Sequence, residues 1–132
     1  MTGRVLAPGI VEGDVLALTE PLSLWGGLDP ATGQILDPRH PQHGRVVTGR
    51  VLVLPSGRGS SSSSTVLAEA IRIGTAPAAI VLHEPDVILA LGSIVARELY
   101  GVAMPIVVWT GPMPEGRVRI AAGAGGVSIG PA

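Results

Sequence analysis

Apolar and polar positions alternate in blocks that set out the elements of this chain. Val51-Leu52-Val53-Leu54 closes the run Arg45 to Leu54, and Pro55 stops it. Four consecutive aliphatic residues predict a strand buried on both faces. Ala76 to Leu82 predicts a second such strand, and Pro105 to Thr110, with Ile106, Val107, Val108 and Trp109, a third. Val15 to Leu18 predicts a short strand after a Gly13-Asp14 turn signal. Between the second and third buried strands, and ahead of the second, the period changes to that of a helix. Val66, Leu67, Ala70, Ile71 and Ile73 recur on one side, with Glu69 and Arg72 opposite and Gly74 as stop. Val87 to Tyr100 predicts a second helix, capped by Asp86 and ended by Gly101, with Gly92 as an unfavourable interior residue. Gly116 to Ile129 predicts two short strands around a Gly123 to Gly126 turn. Thr19 to about Gly44 holds Pro21, Gly26, Gly27, Pro30, Gly33, Pro38 and Pro41 and predicts a long, mostly irregular loop, of the kind that is usually functional or mobile.

This order predicts an α/β fold: a single domain with a mixed sheet and about two helices. Two helices cannot cover both faces of a large sheet, so part of the sheet packs on other strands, and a three-layer β/β/α arrangement fits better than a doubly wound one.

Composition narrows the chemistry. The chain has 132 residues, one domain's worth, with 46% hydrophobic and 14% charged residues, which excludes an intrinsically disordered chain. No cysteine is present, so no disulfide, thiolate nucleophile or cysteine-held cluster belongs to this chain. All nine basic residues are arginine, which excludes a Schiff-base or P-loop lysine. A net charge of −1 and three aromatic residues (Trp25, Tyr100, Trp109) give neither a basic patch nor a stacking platform for nucleic acid. Uninterrupted apolar stretches such as Val87 to Leu91 fall far short of the roughly 18 residues a membrane span needs. Pro8, Gly9, Glu12 and Asp14 break any leader-like apolar segment, and the expected location is the cytoplasm.

Candidate chemistry concentrates in Gly57-Arg58-Gly59-Ser60-Ser61-Ser62-Ser63-Ser64-Thr65, between a buried strand and a helix N-terminus. That place gathers backbone N–H groups and the positive end of a helix dipole. Gly57 and Gly59 permit close approach of a ligand, and Arg58 offers a bidentate clamp for carboxylate or phosphate. One serine could act as an acid/base group if its alkoxide were stabilised there. The competing reading is an N-cap and a polar linker. Gly-x-Ser-x-Gly is absent around Ser60, and the Walker pattern lacks its lysine.

A second cluster runs from Pro21-Leu22-Ser23-Leu24-Trp25-Gly26-Gly27-Leu28-Asp29-Pro30 through Asp37 to His40-Pro41. Either Trp25 plugs the edge of the core and the acids cap turns, or the segment lines a site. His40, His43 and His83 lack helical ligand spacing, which speaks against a metal site. His83-Glu84-Pro85-Asp86 reads as a turn and helix cap. Arg97 and Glu98 read as a solvated helix face.

Those two runs, with His40-Pro41, Gly49-Arg50-Val51-Leu52-Val53-Leu54-Pro55, Ala68-Glu69-Ala70 and Glu98-Leu99-Tyr100-Gly101, resemble the swivel domain of the aconitase X family. The resemblance covers nearly the whole chain, and residues 1–132 look like the separate small subunit rather than part of a longer polypeptide. It implies an iron–sulfur-dependent hydro-lyase. A large catalytic subunit would carry the cluster on its own cysteines, with none bound here, and the small subunit would close over the site and supply a serine base. In aconitases the base follows a Gly-x-Gly turn, which maps onto Ser60, with Ser61 as nearest competitor. Arg58, Gly59, Ser61, Ser62, Trp25, Gly26 and Gly27 would bind the substrate, a small hydroxy acid. The family dehydrates cis-3-hydroxy-L-proline or 5-phosphomevalonate. An all-serine run and the replacement of lysine by arginine look bacterial and favour hydroxyproline. Two other readings stay open: a swivelling phosphohistidine carrier, which would need His40 or His83 exposed, and a free-standing anion-binding module.

Overall fold

The computed structural model describes residues 3–58 and 60–132. Val51–Leu54 (β3) and Ala79–Leu82 (β4) are buried at every position. Ile106–Trp109 (β5) completes a parallel trio, with β4 between the other two. Strands this apolar need cover on both faces, and the two faces receive different cover. Leu52, Leu54, Ile80, Leu82 and Ile106 pack beneath Leu67, Ile71, Leu89 and Ala96 of the helices Ser63–Ile73 (α2) and Val87–Tyr100 (α3). On the other face, Val51, Val53, Ala79, Val81 and Val107 meet Val118, Ile120 and Ala122 of the strand Arg117–Gly123 (β6), which pairs with Gly126–Pro131 (β7). This is the β/β/α layering expected from a sheet with too few helices to cover it twice.

The layers form one continuous sheet because a single strand serves both. Gly9–Ala17 (β2) pairs antiparallel with β6 from Gly9 to Asp14, then parallel with β3 from Val15 to Ala17. Gly3–Ala7 (β1) pairs antiparallel with β5, giving the order β1-β5-β4-β3-β2-β6-β7. A Cβ on Gly3 would lie 2.9 Å from the Val127 Cβ, so the two outer strands approach each other and the sheet nearly closes.

Three expectations change. The expected strand Val15 to Leu18 is the far half of the nine-residue β2, and Gly13-Asp14 is no turn: Gly13 is buried mid-strand, where a side chain would meet the Gly49 carbonyl at 2.7 Å. In the run Arg45 to Leu54, only Val51–Leu54 is a strand. Val46 makes a lone bridge to Gln34, and Gly49 turns the chain at φ +70°. Beyond the two expected helices, Leu24–Gly27 forms a single turn (α1) whose interior leaves helical geometry at Trp25 and Gly26.

The start of α3 and the ends of both long helices follow their sequences. Asp86 Oδ1 accepts from the Ile88 and Leu89 N–H groups at 2.9 and 3.1 Å, and Gly74 and Gly101 stop α2 and α3 in the left-handed conformation. The Ser93 hydroxyl, buried, donates to the Met104 carbonyl. Gly92 has a packing reason. A Cβ there would sit 2.7 Å from the Ser64 carbonyl oxygen and 3.1 Å from its Cα, in the first turn of α2. Both obstacles are backbone, so relief means separating the helices. Gly92→Ala would ordinarily gain up to about 1 kcal/mol of helix propensity. Here overpacking of about 1–3 kcal/mol opposes that gain. Thermal unfolding is expected to show a Tm lowered by several degrees, and a Tm at or above wild type would refute the close packing.

Candidate active site

The loop from Thr19 to Arg50 is held by short polar turns rather than by regular structure. Asp29 accepts from the Ala31 N–H at 2.9 Å and the Thr32 hydroxyl at 3.0 Å, and Asp37 accepts from the Arg39 N–H at 3.0 Å. Both acids therefore do what aspartate does at turns. His40 is buried: its Nδ1 accepts from the Gln42 N–H at 3.1 Å and its Nε2 lies 3.1 Å from the Glu20 carbonyl. That pattern makes Nε2 the protonated nitrogen and commits both ring nitrogens to tying the loop ends together. His83 and Glu84 are exposed just past β4, where their N–H groups share the Pro55 carbonyl at 3.2 and 3.1 Å.

Trp25 is not a plug for the core edge. It is 60% exposed, while Leu22, Leu24 and Leu28 around it take the buried places. Gly26, at φ +78°, reverses the chain directly after it. The loop is fastened to the serine segment at two points: Leu22 bridges Gly57 in parallel, and the Trp25 N–H donates to Ser63 Oγ at 3.4 Å. Gly57 itself lies against the Asp86 carboxylate, leaving no room for a side chain.

These fastenings bring Trp25, Gly26, Gly27, Asp37, Arg39 and Arg58 around one cleft of about 330 Å³. Arg58 is exposed and makes no hydrogen bond or ion pair with any described residue. Arg39 approaches Asp37 at 3.7 Å with its side chain 92% exposed, a pairing that water screens heavily. With two guanidinium groups to one carboxylate, the cleft favours an anion. The aromatic-glycine run and Arg58, more than thirty residues apart in sequence, thus share one cleft, which Ser60, Ser61 and Ser62 do not line. Arg39 escaped the sequence reading, since nothing but its place two residues after the turn-forming Asp37 marks it.

The serines divide sharply by environment. Ser63 is buried and occupied by Trp25. Ser64 donates to the Ser61 carbonyl at 2.9 Å. Ser61 and Ser62 are exposed, and Ser62 stands at the N-cap of α2 without a side-chain cap bond. Ser60 is half-buried, and its Oγ accepts from the Ser62 N–H at 3.2 Å. Of the first N–H groups of α2, those of Ser63 and Ser64 bond to the Ser60 and Ser61 carbonyls, so the loop absorbs part of the donor set that the helix end was expected to offer a ligand. Gly59, expected among the substrate-binding residues, lies outside the described residues.

A metal would find few ligands here. The chain has no cysteine, and among the described residues no three His, Asp or Glu side chains gather as a metal-binding group. Among them, too, no helix is long and apolar enough to cross a membrane.

The sequence profile of the Aconitase X swivel domain matches residues 1–127. The chain belongs to this family. Its fold matches the crystal structure of Thermococcus kodakaraensis aconitase X (holo-form) at a TM-score of 0.84 and 34% identity, over 97% of this chain and 95% of that one. It is 52% identical to a cis-3-hydroxy-L-proline dehydratase of Pseudomonas aeruginosa over 78% of its length, but that stretch is only 18% of the relative. It is 46% identical to a phosphomevalonate dehydratase small subunit of Methanothermobacter thermautotrophicus, over 70% of this chain and 71% of that one. The matched stretch is thus a small fraction of a long protein in one relative and most of a small subunit in another.

Proposed function

We propose that this chain is the small subunit of a heteromeric aconitase X-type dehydratase, a cytoplasmic hydro-lyase, and that Ser60 is its base. The observation that carries the reading is the environment of Ser60: a half-buried hydroxyl that receives a backbone N–H, two residues from an arginine that has no partner among the described residues and lines an anion-favouring cleft. A hydrogen bond donated to Oγ, and a positive charge nearby, both favour the alkoxide over the alcohol. Ser61, Ser63 and Ser64 lack that combination. In the elimination, Ser60 takes the proton from the carbon beside the one bearing the hydroxyl. The released C–H pair becomes the new π bond as the C–O bond breaks, the oxygen departs with the C–O pair as hydroxide and leaves as water after taking a proton from solvent, and the proton from carbon ends on Ser60 Oγ. Arg58 holds the substrate carboxylate, and Trp25 with Gly26 and Gly27 forms the wall against which the substrate lies. Ser61 and Ser62 continue the loop beyond Ser60.

An iron–sulfur cluster on the large subunit would polarise the leaving hydroxyl as a Lewis acid. This chain has no cysteine to hold such a cluster, and the proposal assigns its ligands to the large subunit. The lead substrate is cis-3-hydroxy-L-proline, as in the Pseudomonas relative; the alternative is (R)-5-phosphomevalonate, favoured by the match in length to the archaeal small subunits. Burial of His40 with both nitrogens engaged removes it as a phosphohistidine carrier, whereas His83 is exposed, so phosphotransfer labelling that depends on His83 would favour the carrier reading instead. Co-expression with the cognate large subunit tests the reading. Hydroxyproline is expected to be dehydrated only when both chains are present. Turnover of phosphomevalonate alone would select the alternative, and turnover of neither would overturn the proposal.

A further inference from the structure

The exposed face of α3 is unusually apolar for a helix at a protein surface. Of its eight exposed positions, only Arg97 and Glu98 carry charge. Val87, Leu91, Val95 and Leu99 follow one another at four-residue spacing, so they form one stripe along the helix. They are exposed by 73, 53, 37 and 66%. Beside the stripe, α2 and α3 flank a groove of about 520 Å³, lined by Thr65, Ala68, Leu91, Val95 and Tyr100. Glu69, the groove's carboxylate, is already taken up by Arg72, whose Nε and Nη2 donate to it at 2.6 and 2.9 Å. That hydrogen bonding holds the Glu69 carboxyl below its ordinary pKa. The groove therefore presents apolar surface with its one acid neutralised.

The position of this face says what covers it. It adjoins the serine loop: Gly92 packs on the Ser64 backbone, Ser64 lines the groove, and Asp86, immediately before Val87, lies against Gly57. Whatever completes the Ser60 site must come down beside α3. The Pseudomonas relative contains more than four-fifths of its length outside the stretch matched here. Size argues in the same direction. A stripe over the 14 residues of α3 is about 21 Å by 10 Å, roughly 200 Å², whereas a standard interface takes about 800 Å² from each partner. The stripe alone is too small for a stable pairing of two copies. A partner that also covers the serine loop and the exposed Trp25 buries more surface than the stripe alone offers.

We infer that the α3 stripe and the α2–α3 groove are the docking surface for the large catalytic subunit, which inserts an apolar segment there while it closes over Ser60. This rests on the proposed function, since it needs that partner to exist. The test measures association of the cognate large subunit with wild type, Leu91→Glu, Val95→Glu and, as a control, Ile10→Glu. Leu91 and Ile10 are similarly exposed, and Ile10 lies on β2 rather than on a helix. Both α3 variants are expected to raise Kd at least tenfold, with far-ultraviolet circular dichroism and Tm of the isolated chain unchanged and the Ile10→Glu complex as tight as wild type. Wild-type affinity in both α3 variants would overturn the inference while leaving the proposed function standing. Self-association of the isolated wild-type chain that Leu91→Glu abolishes, with large-subunit binding intact, would assign the face to a second copy and overturn it as well. Failure of wild type to bind the large subunit at all would overturn the proposed function and this inference together.

Discussion

Ser60→Ala, assembled with the large subunit, is expected to lower kcat by about 10²–10⁴-fold, the range that a positioned proton acceptor contributes. KM is expected to stay close to wild type, because Ser60 is assigned the proton and Arg58 the carboxylate. The substitution removes an exposed-to-half-buried hydroxyl and one acceptor for the Ser62 N–H, so the fold is expected to survive with Tm little changed. Ser61→Ala is the matched control: Ser61 is exposed, and its carbonyl, which alanine keeps, makes the contacts to Ser64. Its kcat is expected within a few-fold of wild type. Full activity in Ser60→Ala together with loss in Ser61→Ala would move the base by one residue and refute the assignment made from the Ser62 N–H.

Arg58→Ala is expected to act on the other kinetic constant. A hydrogen bond to a charged group is worth about 1.5–3 kcal/mol, or roughly 10–100-fold in kcat/KM, and the loss is expected to appear mainly as a raised KM. Arg58 has no partner among the described residues to mislay, so folding is expected to be unaffected. Arg58→Lys keeps the charge but loses the planar fork, and is expected to recover only part of the affinity. Equal KM values in wild type and Arg58→Ala would remove Arg58 from the binding site. Recovery in Arg58→Lys as complete as wild type would show that charge alone is needed.

The site was legible in part because two of its components are local in sequence. Gly57 to Thr65 sits between a buried strand and a helix whatever the rest of the chain does, and β3 and α2 duly flank it. Which serine matters was not legible, because all five carry the same side chain. Only the turn at the start of α2, which points the Ser62 N–H at Ser60 and buries Ser63 under Trp25, distinguishes them. Trp25 was open between core and surface for a similar reason. A tryptophan beside two glycines fits either, and the decision fell to Leu22, Leu24 and Leu28, which fill the interior first. Arg39 gave no signal at all, since its place at the cleft depends on how a loop of irregular structure folds back on Arg58.

What the sequence determined by itself was the three buried strands, the two long helices, the terminal strand pair and the layer type: continuous aliphatic runs demand cover on two faces, and two helices supply only one. It also determined that this chain holds no cysteine-ligated cluster, since there is no cysteine. Tertiary structure decided the rest. β2 runs straight through Gly13-Asp14 because β6 pairs with it on one side of that point and β3 just beyond. Gly92 sits within a helix because the Ser64 backbone lies against it. The apolar stripe on α3 remains uncovered because the core is filled from the opposite side of that helix. In each case the deciding contact joins residues far apart along the chain, and local patterning of apolar and polar positions holds no record of such contacts.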